Sequence, residues 1–202
     1  MNNLQTGDLL LFTERTKGIL APLIGLIKWG THSDFTHVAM VLKDPTFLHP
    51  SLKGTYVWES SWEGKPDPQD GKIKLGVQIT PLSEIMDAYK NLGHVFVRKM
   101  NAPSDTFNDE VLSKIHDVVY KKPYDIVPLD WVEALFQKDI HPQKTSRFWC
   151  SALVAYIYTT CGILNKETDW SIVRPCDFSL SGEGTLKYIN DCYLENVTTK
   201  IQ

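Results

Sequence analysis

The stretch Phe148-Trp149-Cys150-Ser151-Ala152-Leu153-Val154-Ala155-Tyr156 places a cysteine where an aromatic, loop-like segment turns into an apolar run. Beyond it, Leu153, Val154, Ile157 and Cys161 recur at three- and four-residue steps, the period of an amphipathic helix. The spacing predicts a helix over residues 150–161, ended by Gly162. Cys150 then lies in its first turn, where unpaired N–H groups and the helix dipole favour a thiolate, the reactive form of cysteine. The competing reading is a packed thiol, since free cysteine behaves as a small hydrophobe. A nucleophile also requires a base and a group that orients the base.

Upstream of this helix the chain changes character. Residues 9–13, 37–42 and 55–60 read as buried strands, and 73–80 as a half-buried strand through the alternation of Ile73, Leu75, Val77 and Ile79. A helix is expected near 82–90 and a strand over 94–99. Ser104 or Asp105 is placed to cap a helix carrying Val111, Leu112, Ile115, Val118 and Val119. A short helix over 130–137 and a closing strand over 193–201 complete the pattern. Strands clustered early and helices clustered late indicate α+β. No repeat, low-complexity tract or charge block marks a boundary, so 1–202 reads as a single domain.

Composition narrows the function classes. The chain has 202 residues, 43% of them hydrophobic, as in an ordinary globular protein. A net charge of −3 without a Lys/Arg block argues against a nucleic-acid surface, which needs clustered positive charge. The start, Met1-Asn2-Asn3-Leu4-Gln5, lacks the basic flank and apolar run of a signal peptide, and the expectation is a cytoplasmic protein with reduced thiols. No segment reaches the ~20 apolar residues of a membrane span. The apolar run from Gly18 to Trp29 is broken by glycine and proline; it could cover a substrate or make peripheral contact with a membrane surface. Cys150, Cys161, Cys176 and Cys192 contain no C-x-x-C pair and are spaced unlike paired zinc knuckles, so neither a metal nor a cofactor is called for.

Among six histidines, His37 opens a strand directly after the polar loop Ser33-Asp34-Phe35-Thr36, at a sheet edge where an imidazole can meet both a thiol and a substrate. His94 opens the Val95-Phe96-Val97 strand and competes by the same logic. The orienting group should accept a hydrogen bond from the imidazole. Glu59 stands in the apolar strand Tyr56-Val57-Trp58-Glu59-Ser60, on the face of Val57 by alternation; it is either an outward-facing residue or a buried carboxylate with a partner.

In order, Gly7-Asp8-Leu9-Leu10-Leu11-Phe12, Thr36-His37-Val38-Ala39-Met40-Val41, Trp58-Glu59-Ser60 and Cys150-Ser151-Ala152-Leu153-Val154 resemble a circularly permuted NlpC-type papain-like cysteine hydrolase, in the manner of the YiiX-type and poxviral permuted groups. In the unpermuted family the cysteine helix comes first; here it comes last. The resemblance spans Gly7 to about Phe178 through these four blocks. It implies a papain-like fold in which an antiparallel sheet packs against the cysteine helix, with Cys150 as nucleophile, His37 as base and then acid, and Glu59 as orienter. Lys122-Pro123-Tyr124-Asp125 is similar to the tyrosine-containing segment before the family's cysteine, which would bring Tyr124 to the oxyanion site, although a packed tyrosine explains it equally.

The implied reaction is cleavage of an amide or ester through an acyl-enzyme. Trp29, with the apolar run before it, and Trp149, with Trp58 and Trp62, could wall a pocket for a peptide, amide or lipid-like acyl substrate. A lipid-directed acyl hydrolase or acyltransferase of the same fold and a catalytically silent binding module are the alternatives.

Overall fold

The computed structural model describes residues 3–14, 33–125 and 145–202. Six strands form one antiparallel sheet: β1 (Leu9–Glu14), β2 (Phe35–Lys43), β3 (Thr55–Ser61), β4 (Gly76–Pro81), β5 (Gly93–Asn101) and β6 (Tyr193–Lys200), in the order β4-β3-β2-β1-β5-β6. Three helices accompany it: α1 (Leu82–Tyr89), α2 (Asp109–Val119) and α3 (Cys150–Thr160). The α+β expectation therefore holds among the described residues. The apolar run over 18–29 and the expected helix over 130–137 lie outside them.

Alternation along the strands divides the core in two. Leu9, Leu11, Val38, Met40, Leu42 and Trp58 face one side and pack with Leu112, Ile115 and Val119 of α2 and Leu153, Val154 and Ile157 of α3. Leu10, Phe12, Ala39, Val41, Val57, Val95 and Val97 face the other side and pack with Leu82, Ile85, Met86 and Tyr89 of α1. With both faces covered, β1 and the centre of β2 read as continuous apolar runs.

Helix α3 departs from a one-sided amphipathic pattern. Ser151, Ala152 and Ala155 are as buried as Leu153 and Val154. The reason is a cover of two short 3₁₀ turns, Trp170–Ile172 and Pro175–Phe178, packed beside the helix. Trp170 stacks on Phe148 at 5.4 Å and meets Tyr156 edge-on at 5.3 Å, while Phe178 meets Tyr158 edge-on at 6.0 Å. A helix enclosed on all sides is apolar all round, which the small residues at 151, 152 and 155 permit.

Several boundaries differ from the sequence reading. Strand β2 begins at Phe35, so His37 is its third residue and does not open it. Strand β4 begins at Gly76, because Gly76 at φ +148 sits against the backbone of Lys122 and Pro123, leaving Ile73 and Leu75 exposed before it. Helix α2 is capped by Asn108, whose side chain accepts from the Val111 N–H at 3.0 Å; residues 104–107 form a turn instead.

The Gly7-Asp8 pair anchors the start of β1. Gly7 has φ +97, and a Cβ there would lie 2.2 Å from the Phe107 ring, so only glycine fits. Buried Asp8 accepts from the N–H groups of Gln5 and Met100 and pairs with Lys99. Its role is to hold β1 against β5.

Candidate active site

The site forms at the end of the sheet where β2 begins and β3 finishes. Phe12 pairs with His37 but Thr13 pairs with Phe35, so Thr36 is an extra residue in β2, a bulge immediately before His37. Bulges re-aim side chains at sheet edges. The His37 ring lies on the α1 side of the sheet, 5.0 Å from the ring of Phe12. Glu59 alternates with Val57 onto the same side, where its carboxylate is 1% exposed.

The two meet at hydrogen-bond distance: His37 Nε2 is 3.0 Å from Glu59 Oε2. The other carboxylate oxygen, Oε1, accepts from the Thr80 hydroxyl at 2.8 Å. Thr80 reaches it as a diagonal neighbour on β4, where Gln78 stands directly opposite Glu59. Each oxygen of this buried carboxylate thus has a partner, as burial of a charge requires.

Cys150 arrives from the opposite side of the sheet, at the first position of α3. The β2–β3 ladder runs from Lys43–Thr55 to Met40–Trp58 and stops there. Beyond it the Val38 N–H is free of β3 and donates instead to the Cys150 sulfur. The Ser151 N–H donates to the same sulfur. Trp149, the N-cap residue, supplies no side-chain cap, so the first-turn N–H groups of α3 remain available to the thiol.

The Cys150 thiol and the His37 ring are hydrogen-bonding neighbours. Since Nε2 faces Glu59, the ring's Nδ1 is left for the sulfur. Burial alone would push the thiol up, but the His37 charge, the His37 hydrogen bond and the two backbone N–H groups hold it below the ordinary thiol range. Burial would likewise lower His37, yet the thiolate charge and the bonds to Cys150 and Glu59 outweigh it and raise the imidazole well above its ordinary value. Both shifts act toward charge on the pair: the donors around the sulfur favour the thiolate, and the bonds of the ring to sulfur and carboxylate favour the imidazolium.

The remaining cysteines differ in kind. Burial pushes Cys161 up to about 12 and Cys176 to about 11, and raises Cys192. All four are free thiols. Among the described residues no group of three or more His, Cys, Asp or Glu could hold a metal ion, and no helix is long and apolar enough to cross a membrane.

Cys150, His37 and Glu59 are thus brought together from three separate stretches of the chain. Tyr124 is half-buried, and its backbone bridges to Phe148, two residues before Cys150. Trp149 is buried in the core beside Cys150, with its indole N–H unpartnered. Trp58 is core and Trp62 is exposed. Trp29 lies outside the described residues. The rival His94 sits on β5, two strands from His37 in the sheet order, with its ring edge-on to Phe96. His116 is half-buried, bonded to Gln69 at 2.6 Å and stacked on Tyr120.

Thr80 and Ser60 are the site residues that sequence reasoning overlooked. Ser60 Oγ donates to the Phe148 carbonyl at 2.7 Å. Their one sequence signal is a hydroxyl within a strand, which without the register names no partner. Comparison of the chain with family models, curated proteins and solved structures finds no match.

Proposed function

We propose that the chain is a cysteine hydrolase that cleaves an amide or ester bond, with the permuted NlpC-type papain-like arrangement inferred from its four sequence blocks. The observation that carries this reading is the chain of contacts from the Cys150 thiol to His37 and from His37 Nε2 to Glu59 Oε2 at 3.0 Å. A packed cysteine has no use for a raised imidazole held by a buried carboxylate.

In the proposed reaction the Cys150 thiolate attacks the carbonyl carbon, forming a C–S bond and an oxyanion. In this reading the Cys150 backbone N–H at the helix start is one donor for that oxyanion, with the Tyr124 hydroxyl as the second. Collapse breaks the bond to the amine or alcohol, which leaves with the proton from His37. His37 then takes a proton from water as it attacks the thioester, and the acid is released. Glu59 keeps the imidazole in register and stabilises its charge, without taking the proton.

The test is iodoacetamide labelling near neutral pH with peptide mapping of all four cysteines. Cys150 is expected to react first, and His37→Ala to abolish that preference. Cys150→Ala is expected to remove turnover across a panel of activated esters and peptide amides. Uniform slow labelling of the four thiols would refute the reading and favour a silent module.

A further inference from the structure

We infer that Ser60 is a positioning residue that sets the approach of Cys150 to His37; the inference rests on the cysteine-hydrolase reading and adds to it. Ser60 is wholly buried, and its hydroxyl donates to the Phe148 carbonyl across 88 residues of sequence at 2.7 Å. The preceding residue in the same strand, Glu59, points to the opposite face and holds His37. One dipeptide of β3 therefore grips both halves of the pair: Glu59 holds the base, and Ser60 holds the segment that delivers the nucleophile.

The grip passes to Cys150 with little slack. Only Trp149 separates Phe148 from Cys150, and it is extended at φ −87 and ψ 173, near the limit of its reach. A displacement of the Phe148 peptide is therefore transmitted to the start of α3. The Phe148 ring packs on Trp170 and Tyr156, and its backbone is held by the 123–125 segment, through its N–H to the Pro123 carbonyl at 3.1 Å and its carbonyl to the Asp125 N–H at 3.2 Å. Those bonds tie it to its own side of the site. The Ser60 hydroxyl is the direct side-chain tie between Phe148 and the strand that bears Glu59.

Removing the hydroxyl leaves the Phe148 carbonyl bonded to Asp125, so no buried acceptor is orphaned. Ser60→Ala is accordingly expected to fold and melt close to the parent protein while losing alignment of sulfur and imidazole. A displacement of the order of 1 Å in a catalytic pair costs up to about a hundredfold in rate.

The experiment measures iodoacetamide alkylation of Cys150 against pH, by peptide mapping, in the parent protein, Ser60→Ala and Ser60→Gly, with thermal melts of each. The expected result is that both variants slow Cys150 alkylation at neutral pH about tenfold or more, with the titration moved toward that of an ordinary thiol. A lower melting temperature with an alkylation profile superimposed on the parent's would overturn the inference and leave Ser60 a structural residue only. Failure of parent Cys150 to react ahead of the other three thiols would instead overturn the hydrolase reading, and this inference with it.

Discussion

Thr80→Val tests whether the buried carboxylate is held from behind. Thr80 is 4% exposed, and its hydroxyl lies 2.8 Å from Glu59 Oε1. Valine fills the same volume, so no cavity opens; the change is the loss of one donor to a buried carboxylate. A hydrogen bond to a charged group contributes about 1.5–3 kcal/mol. For a domain of this size, each kcal/mol corresponds to about 2–4 °C, so the melting temperature should fall by roughly 3–12 °C. The freed carboxylate can also rotate away from His37 Nε2, and a loss of about 1.4 kcal/mol there is a tenfold loss in the rate of any step that uses the imidazolium. Thr80→Ser keeps the hydroxyl and should retain most of both properties. Thermal unfolding and the neutral-pH alkylation rate of Cys150 read the two effects separately. A valine variant matching the parent in both would refute the reasoning, as would a serine variant as damaged as the valine one, which would assign the effect to the methyl group.

The paired titration makes a signed pH prediction. The lowered Cys150 contributes stability that is present above its unfolded value, about 8.5, and lost as pH falls through its lower folded value. The raised His37 contributes stability present below about 6.5 and lost as pH rises through its higher folded value. Both shifts widen the pH range in which thiolate and imidazolium coexist, so kcat/KM should be bell-shaped, with an acid limb from Cys150 and an alkaline limb from His37 above the ordinary imidazole range. Half-maximal alkylation of Cys150 at the ordinary thiol value would contradict this. Away from the site, Gly7→Ala forces a left-handed φ and drives a Cβ into the Phe107 ring. Denaturant unfolding should show a loss of about 1–3 kcal/mol, only partly relieved by Phe107→Leu; a loss below about 0.5 kcal/mol would show that the turn can relax.

Much of the fold was legible because its signals are local. The apolar runs at β1, β2 and β3 and the three- and four-residue steps of α2 and α3 report burial within a single element, and each element formed close to its expected place. Misreadings came at element ends. Ser104 and Asp105 have capping chemistry, yet Asn108 caps α2. The alternation from Ile73 suggested an earlier strand start, but the close approach of Lys122 and Pro123 holds Gly76 at the true one.

The candidate site divides in the same way. Cys150 at a helix start, His37 near a strand start and Glu59 as a charge in an apolar strand are properties of each residue's immediate neighbours, and the chain alone displays them. That they meet depends on long-range register. The bulge at Thr36 aims His37, the β2–β3 ladder stops in time to free the Val38 N–H, and the 3₁₀ turns close over α3. Thr80 and Ser60 became identifiable only once β3 was seen between its partners, because a hydroxyl's role is decided by the group it faces across the sheet. Composition and periodicity determined which residues are buried and in what kind of element; the tertiary structure decided which polar groups share that burial, since hydrogen bonds between distant strands leave no periodic trace in the chain.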